Sequence, residues 1–164
     1  MTVLLDTRIT PDALDPAVAS AWLHQDQQDS GAVVLFSGLV RSDQGTVAGM
    51  TLEHYPGLSD RMLAELAERV ARHWGCHRVL AWHRIGDMRP GEVIVLVGVA
   101  AAHRAEAFEA AQCLMDLVKV RIPLWKKTTG PAGPLWVDAR SKDQEAAARW
   151  AWLDGITGTG PSAR

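Results

Sequence analysis

The chain has 164 residues, 48% hydrophobic and 22% charged, with a formal net charge of −2. Those figures describe one globular domain with a full core, and the slightly negative charge argues against bulk nucleic-acid binding. No apolar run is long enough to span a bilayer, and the first residues, which include Asp6, lack the apolar stretch of a secretory signal.

In chain order, residues 11–25 predict a short helix, with Leu14, Val18, Ala21 and Trp22 on one face. The β-branched run AVVLFSGLV (32–40) predicts a buried strand, and RSDQG (41–45) a loop. Residues 47–55 alternate as a second strand, which Pro56-Gly57 ends. Ser59 is placed to cap a helix carrying Met62, Leu63, Leu66, Val70 and Trp74, which Gly75 stops. Residues 78–85 predict a third strand, followed by a turn at 86–91. EVIVLVGVAA (92–101) is the strongest strand of the chain. A helix over 104–121 has an apolar stripe of Phe108, Ala111, Met115 and Val118, and Pro123 ends it by disfavouring helical geometry at Ile122. A Gly/Pro loop at 130–134, a short strand at 135–139 and an Ala-rich helix at 141–153 follow. GITGTGPSAR (155–164) reads as a disordered tail. Strands and helices alternate only in part, which predicts an α+β fold with a mixed, largely antiparallel sheet.

KVRIPLWKK (119–127) gathers Lys119, Arg121, Lys126 and Lys127, and no acidic residue stands between 117 and 137. A solvated helix end is the plain explanation of Lys119, aided by the helix dipole and Asp116. The alternative is a lysine desolvated by Trp125 and neighbouring cations, with Lys126 and Lys127 folded back beside it by a Pro-Leu-Trp turn. His103-Arg104, at a strand-to-helix junction, is either a solvated pair or an anion clamp completed by helix N–H groups. Arg41, at the end of a strand, is a surface charge or a substrate contact.

His73, Cys76 and His77 form only part of a metal set, with no fourth ligand at a usual spacing, so no metal is expected. Cys76 and Cys113 form neither a CxxC pair nor a disulfide framework, and they fit a reduced, cytoplasmic compartment. Cys113 reads as a small core residue, with a cysteine-dependent sulfurtransferase as the outlying possibility.

GAVVLFSGLVR (31–41), LEHYPG (52–57), HRIGDMRPGE (83–92), VGVAAAHRAEAFEAAQCLMDLVKVRIPLWKK (97–127) and WVDAR (136–140) carry a family resemblance. In these segments the chain resembles the large, catalytic subunits of molybdopterin synthase, the MoaE family. The resemblance implies a hammerhead-like α+β domain over residues 1–140, with 141–164 as a C-terminal extension. It implies a sulfurtransferase of molybdenum cofactor biosynthesis that acts on cyclic pyranopterin monophosphate (precursor Z). Sulfur would come from the C-terminal thiocarboxylate of a small ubiquitin-like subunit, with no cofactor. Two large subunits would form a homodimer, with one small subunit at each end of a heterotetramer. The implied catalytic residues are Lys119 and Lys126. The implied substrate contacts are Leu39, Val40, Arg41, His103, Arg104, Lys119, Lys126, Lys127, Thr128 and Arg140, with Phe36 and Met115 lining the pocket. A function of another class would use the same basic pocket: a non-catalytic adaptor that binds a ubiquitin-like tail or an anionic ligand.

His103 and Lys119 stand sixteen residues apart. An unbroken helix separates them by about 24 Å, at ~1.5 Å per residue. One small pocket cannot use both, so the expectation is a site shared between two subunits.

Overall fold

The computed structural model describes residues 2–26, 28–138 and 140–155. Most of the expected tail lies outside the described residues. The described elements are eight strands, four α-helices and a final 3-10 turn. They form two four-stranded sheets where the sequence suggested one.

The first sheet has the order β1-β4-β6-β2, built from β1 (Leu4–Thr10), β2 (Ala32–Leu39), β4 (Arg78–Arg84) and β6 (Val93–Ala101). β1 runs parallel to β4, and the other pairings are antiparallel. β6 is central and buried on both faces, which is why its sequence is a continuous apolar run. Alternate side chains of β4 and β6 go to different cores. Val79, Ala81, Val95, Val97 and Val99 face helices α2 (Leu58–Trp74) and α3 (Arg104–Arg121). Leu80, Trp82 and Leu96 pack instead with Leu14, Ala19 and Leu23 of the α1 side, α1 being Pro16–His24.

The second sheet, β5-β3-β7-β8, is antiparallel throughout. It comprises β3 (Gly49–His54), β5 (Gly86–Met88), β7 (Leu124–Gly130) and β8 (Gly133–Val137). Val40, Met50, Leu52 and Met88 form its small core.

Several expectations change. The sequence pattern predicts no element for the segment LLDTRIT. It is an edge strand, and its polar Asp6, Thr7 and Arg8 mask the strand signal. The supposed Pro-Leu-Trp turn is the start of β7, which pairs with β3 seventy to eighty residues away. Ser59 does not cap α2. Gly57 is the N-cap, with a φ of 79°, and its N–H donates to Asp60 Oδ2 at 2.9 Å. Ser59 is fully buried: its Oγ accepts from the Tyr55 N–H at 3.0 Å and donates to the Pro123 carbonyl at 2.9 Å. It ties the start of α2 to the start of β7.

Helix α3 runs unbroken and ends at Ile122, whose extended backbone obeys the following proline. Its buried face is Ala107, Ala110, Ala111, Cys113, Leu114, Leu117 and Val118, rotated from the expected stripe. Phe108 is 63% exposed. Small alanines on the inner face let α3 lie close to α2 and the sheet. The expected last helix is split into α4 (Ser141–Ala148) and a 3-10 turn, Ala151–Gly155.

Candidate functional site

Four segments meet around Lys126. β7 carries it, half-buried, on the face that also bears Thr128. Directly opposite residues of antiparallel strands share a face. Lys126 pairs with Leu52 and Val137, and Thr128 with Met50 and Leu135. Lys126 therefore rises beside the small apolar core of Met50 and Leu52. Burial pushes its pKa below the usual lysine value, and the Arg140 charge pushes it the same way. Asp43 opposes this, while Lys119 and Arg41 add further downward push. Lys119, Lys126, Arg41 and Arg140 thus form one electrostatic neighbourhood, drawn from α3, β7, the loop after β2 and the N-cap of α4.

The loop after β2 turns sharply, with left-handed backbone at Asp43 (φ 44°), Gln44 (60°) and Gly45 (85°). It is closed by the Val47 N–H donating to the Ser42 carbonyl at 2.9 Å, and Arg41 Nη2 lies 3.3 Å from Asp43 Oδ1. Lys119 lies in the last turn of α3, where a cation favours the helix dipole. Its Nζ donates to Asp143 Oδ1 at 3.1 Å. Asp116, the partner expected from its spacing, is engaged elsewhere: it accepts from Arg149 Nη2 and Trp150 Nε1, each at 2.9 Å.

Other predicted residues are set apart. Lys127 projects from the opposite face of β7, with Nζ 5.4 Å from the centre of the Trp136 ring. His103 is the N-cap of α3 and Arg104 its first residue, both exposed, at the end opposite Lys119. The continuous helix keeps the two ends about 24 Å apart. Leu39 and Phe36 are exposed on edge strand β2, whereas Val40 is buried in the small core. Met115 is partly buried against the main core.

Two acidic residues of the site, Asp43 and Asp143, are not among those the sequence predicts. Asp43 had a local signal, two positions after Arg41 in a tight loop. Asp143 had none, because only tertiary packing brings it to Lys119.

His73, Cys76 and His77 take separate partners. His73 packs between Trp74 and Trp152, with ring centres at 4.5 and 4.6 Å. His77 Nδ1 lies 2.6 Å from Ser30 Oγ. Among the described residues, no three His, Cys, Asp or Glu side chains converge as metal ligands. Cys76 and Cys113 are buried, and desolvation pushes both thiols up to about 12, so neither supplies a thiolate at neutral pH.

The family model described as MoaE protein matches residues 9–121. The molybdopterin synthase catalytic subunit of Escherichia coli (strain K12) is 48% identical over 131 residues, spanning 79% of this chain and 87% of that protein. Among solved structures, the molybdopterin biosynthesis MoaE protein of Burkholderia ambifaria superposes with a TM-score of 0.76 at 40% identity, covering 90% of this chain and 98% of its own. The molybdopterin synthase of Staphylococcus aureus gives a TM-score of 0.72 at 26% identity, with 79% and 95% covered. A matched model over most of the chain, close sequence identity and a shared fold agree: the chain belongs to the MoaE protein family.

Proposed function

We propose that this chain is the catalytic subunit of a molybdopterin synthase. Sulfur passes from the C-terminal thiocarboxylate of a small ubiquitin-like subunit to cyclic pyranopterin monophosphate, and two transfers build the dithiolene of molybdopterin. The observation that carries the reading is the half-buried Lys126 ringed by Lys119, Arg140 and Arg41, in a member of this family.

The chemistry fits that ring. The incoming tail is anionic: its sulfur attacks the pterin side chain to give a thioester. Water then attacks the thioester carbonyl, whose oxygen gains negative charge as the acyl C–S bond breaks to leave sulfur on the pterin and a carboxylate on the tail. Fixed cations in a partly desolvated setting stabilise both the anionic tail and that developing charge. Lys126, desolvated and bordered by Thr128, holds the tail carboxyl, and Arg41 and Arg140 add charge. Lys119 transfers a proton or stabilises the developing charge. The pterin phosphate needs a separate anion site, which His103, Arg104 and the free N–H groups opening α3 supply.

The unbroken α3 supports assigning that phosphate site to the partner subunit of a homodimer. Phe36, Leu39 and Val40 lie near the loop of Arg41, and Met115 one turn before Lys119. Lys127, on the far face of its strand, would reach a pocket only across a subunit boundary. The synthase unit spans residues 1–140, with 141–164 as an extension. The reaction draws its sulfur from the partner and needs no cofactor, and its place is the cytoplasm. Among the described residues no helix is long and apolar enough to cross a membrane.

The test is direct. Purified protein, given thiocarboxylated small subunit and precursor Z, should form dithiolene, and Lys119→Ala should lower the rate by roughly a hundredfold or more. Near-normal product from a folded, partner-binding Lys119→Ala variant removes Lys119 from the mechanism.

A further inference from the structure

The C-terminal segment enters the site from beyond the residues that the family model matches. Its first helix, α4, presents Asp143 in the first turn, where the helix dipole favours a carboxylate. The Asp143 N–H donates to the Arg140 carbonyl at 2.9 Å. Its carboxylate then meets Lys119 Nζ at 3.1 Å. The lysine side chain is 54% exposed and the aspartate 25%, so the acid is the better-fixed partner.

The segment behind Asp143 is anchored firmly. Arg121 donates twice to Asp154, at 2.5 and 2.7 Å, and Arg69 Nη1 donates to the same carboxylate at 3.0 Å. Asp116 takes hydrogen bonds from Arg149 and Trp150, and the Trp152 ring lies against His73. These contacts tie residues 149–154 to α2 and α3. They also occupy Asp116, which stands one turn before Lys119 and would otherwise compete for its ammonium group. Asp143 is thereby the carboxylate left to orient Lys119.

We propose that Asp143 is a positioning residue for Lys119, delivered by the docked C-terminal segment. An ammonium group on a four-carbon stem has many rotamers, and one carboxylate contact selects among them. Three donors serve one acceptor here, so two N–H groups remain for the reacting thiocarboxylate and pterin. Asp143 acts through Lys119 and does not touch substrate. The inference rests on the role of Lys119 in the proposed sulfur transfer.

The test compares Asp143→Asn, Asp143→Glu and Lys119→Ala in full-length protein, with thiocarboxylated small subunit and precursor Z. In Asp143→Asn, kcat is expected to fall roughly ten- to a hundredfold, as for a misplaced catalytic group. KM for precursor Z, affinity for the small subunit and the thermal midpoint should stay near those of the parent. Asp143→Glu should recover most of kcat. An unchanged kcat in Asp143→Asn beside an inactive Lys119→Ala overturns the positioning role alone. A loss that appears mainly in KM, partner affinity or thermal midpoint also overturns it, by making the contact structural. An active Lys119→Ala overturns the reading of Lys119, and this inference with it.

Discussion

Lys126 and Lys127 are neighbours in sequence and stand on opposite faces of one strand. Lys126 is desolvated beside Leu52 and Met50, while Lys127 rests on Trp136. A strand's period of two makes the difference, and a one-residue slip would exchange their roles. His83 illustrates another effect of burial. It lies inside β4, with Nδ1 3.0 Å from the Arg84 carbonyl, and burial pushes its pKa below the usual histidine value. The folded state therefore keeps His83 neutral at a pH where the unfolded chain takes up a proton, near ~6.5. Below that pH the unfolded state binds more protons, so stability is present above ~6.5 and is lost as pH falls toward the folded value. The thermal midpoint should drop between pH 7.5 and 5.5. His83→Asn should flatten that dependence, and an equal drop in the variant would assign it to other groups.

At the scale of elements, the loop carrying Arg41 and Asp43 depends on a close approach to β7. A Cβ on Gly130 would sit 1.9 Å from the Thr46 carbonyl oxygen, and the Ala48 N–H donates to the Thr129 carbonyl at 2.7 Å. Gly130→Ala must push the loop away from the strand. Both stability, by about 2 kcal/mol, and kcat should fall. Gly98→Ala is the contrast. Its Cβ would meet Leu23 Cδ1 at 2.4 Å on the α1 face of the first sheet, away from the site. That change should cost about 1–3 kcal/mol of stability and leave kcat per folded molecule unchanged. Denaturant unfolding and dithiolene assays on both variants check the pair; equal loss of kcat in both would detach the loop from catalysis. The element pattern itself was partly legible. β6 and α2 carry a strong apolar run or stripe with clear stops, whereas α3 is legible in its extent and its stop at Pro123 but not in its buried face. β1, β5 and β7 carry no such signal, because edge position, shortness and lysines hide strands whose pairing partners are distant.

At the scale of the whole molecule, the length of α3 bears on the proposed shared site. His103 and Lys119 stand sixteen residues apart at the two ends of one unbroken helix. A site using both ends must combine two subunits. Mixing Lys119→Ala with Arg104→Ala subunits should restore activity to roughly a quarter of normal at equal mixing, on the order expected when one of two shared sites per heterodimer is intact. Activity no higher than that of either parent alone would leave each subunit with its own complete site.

The sequence by itself determined the α+β class, the central strand, the helix that ends at Pro123 and the family. These follow from local periodicity, proline geometry and residues shared with relatives. It also set the separation of His103 and Lys119 for an unbroken helix, because helix rise is fixed, while the continuity of α3 itself came from the tertiary structure. Only the tertiary structure decided which cations converge and which face away. It divided the strands into two sheets, turned Lys127 away from Lys126, occupied Asp116 with Arg149 and Trp150, and brought Asp143 to Lys119. Those outcomes depend on contacts between segments far apart in the chain, whose geometry is set by packing and leaves no local trace in the sequence.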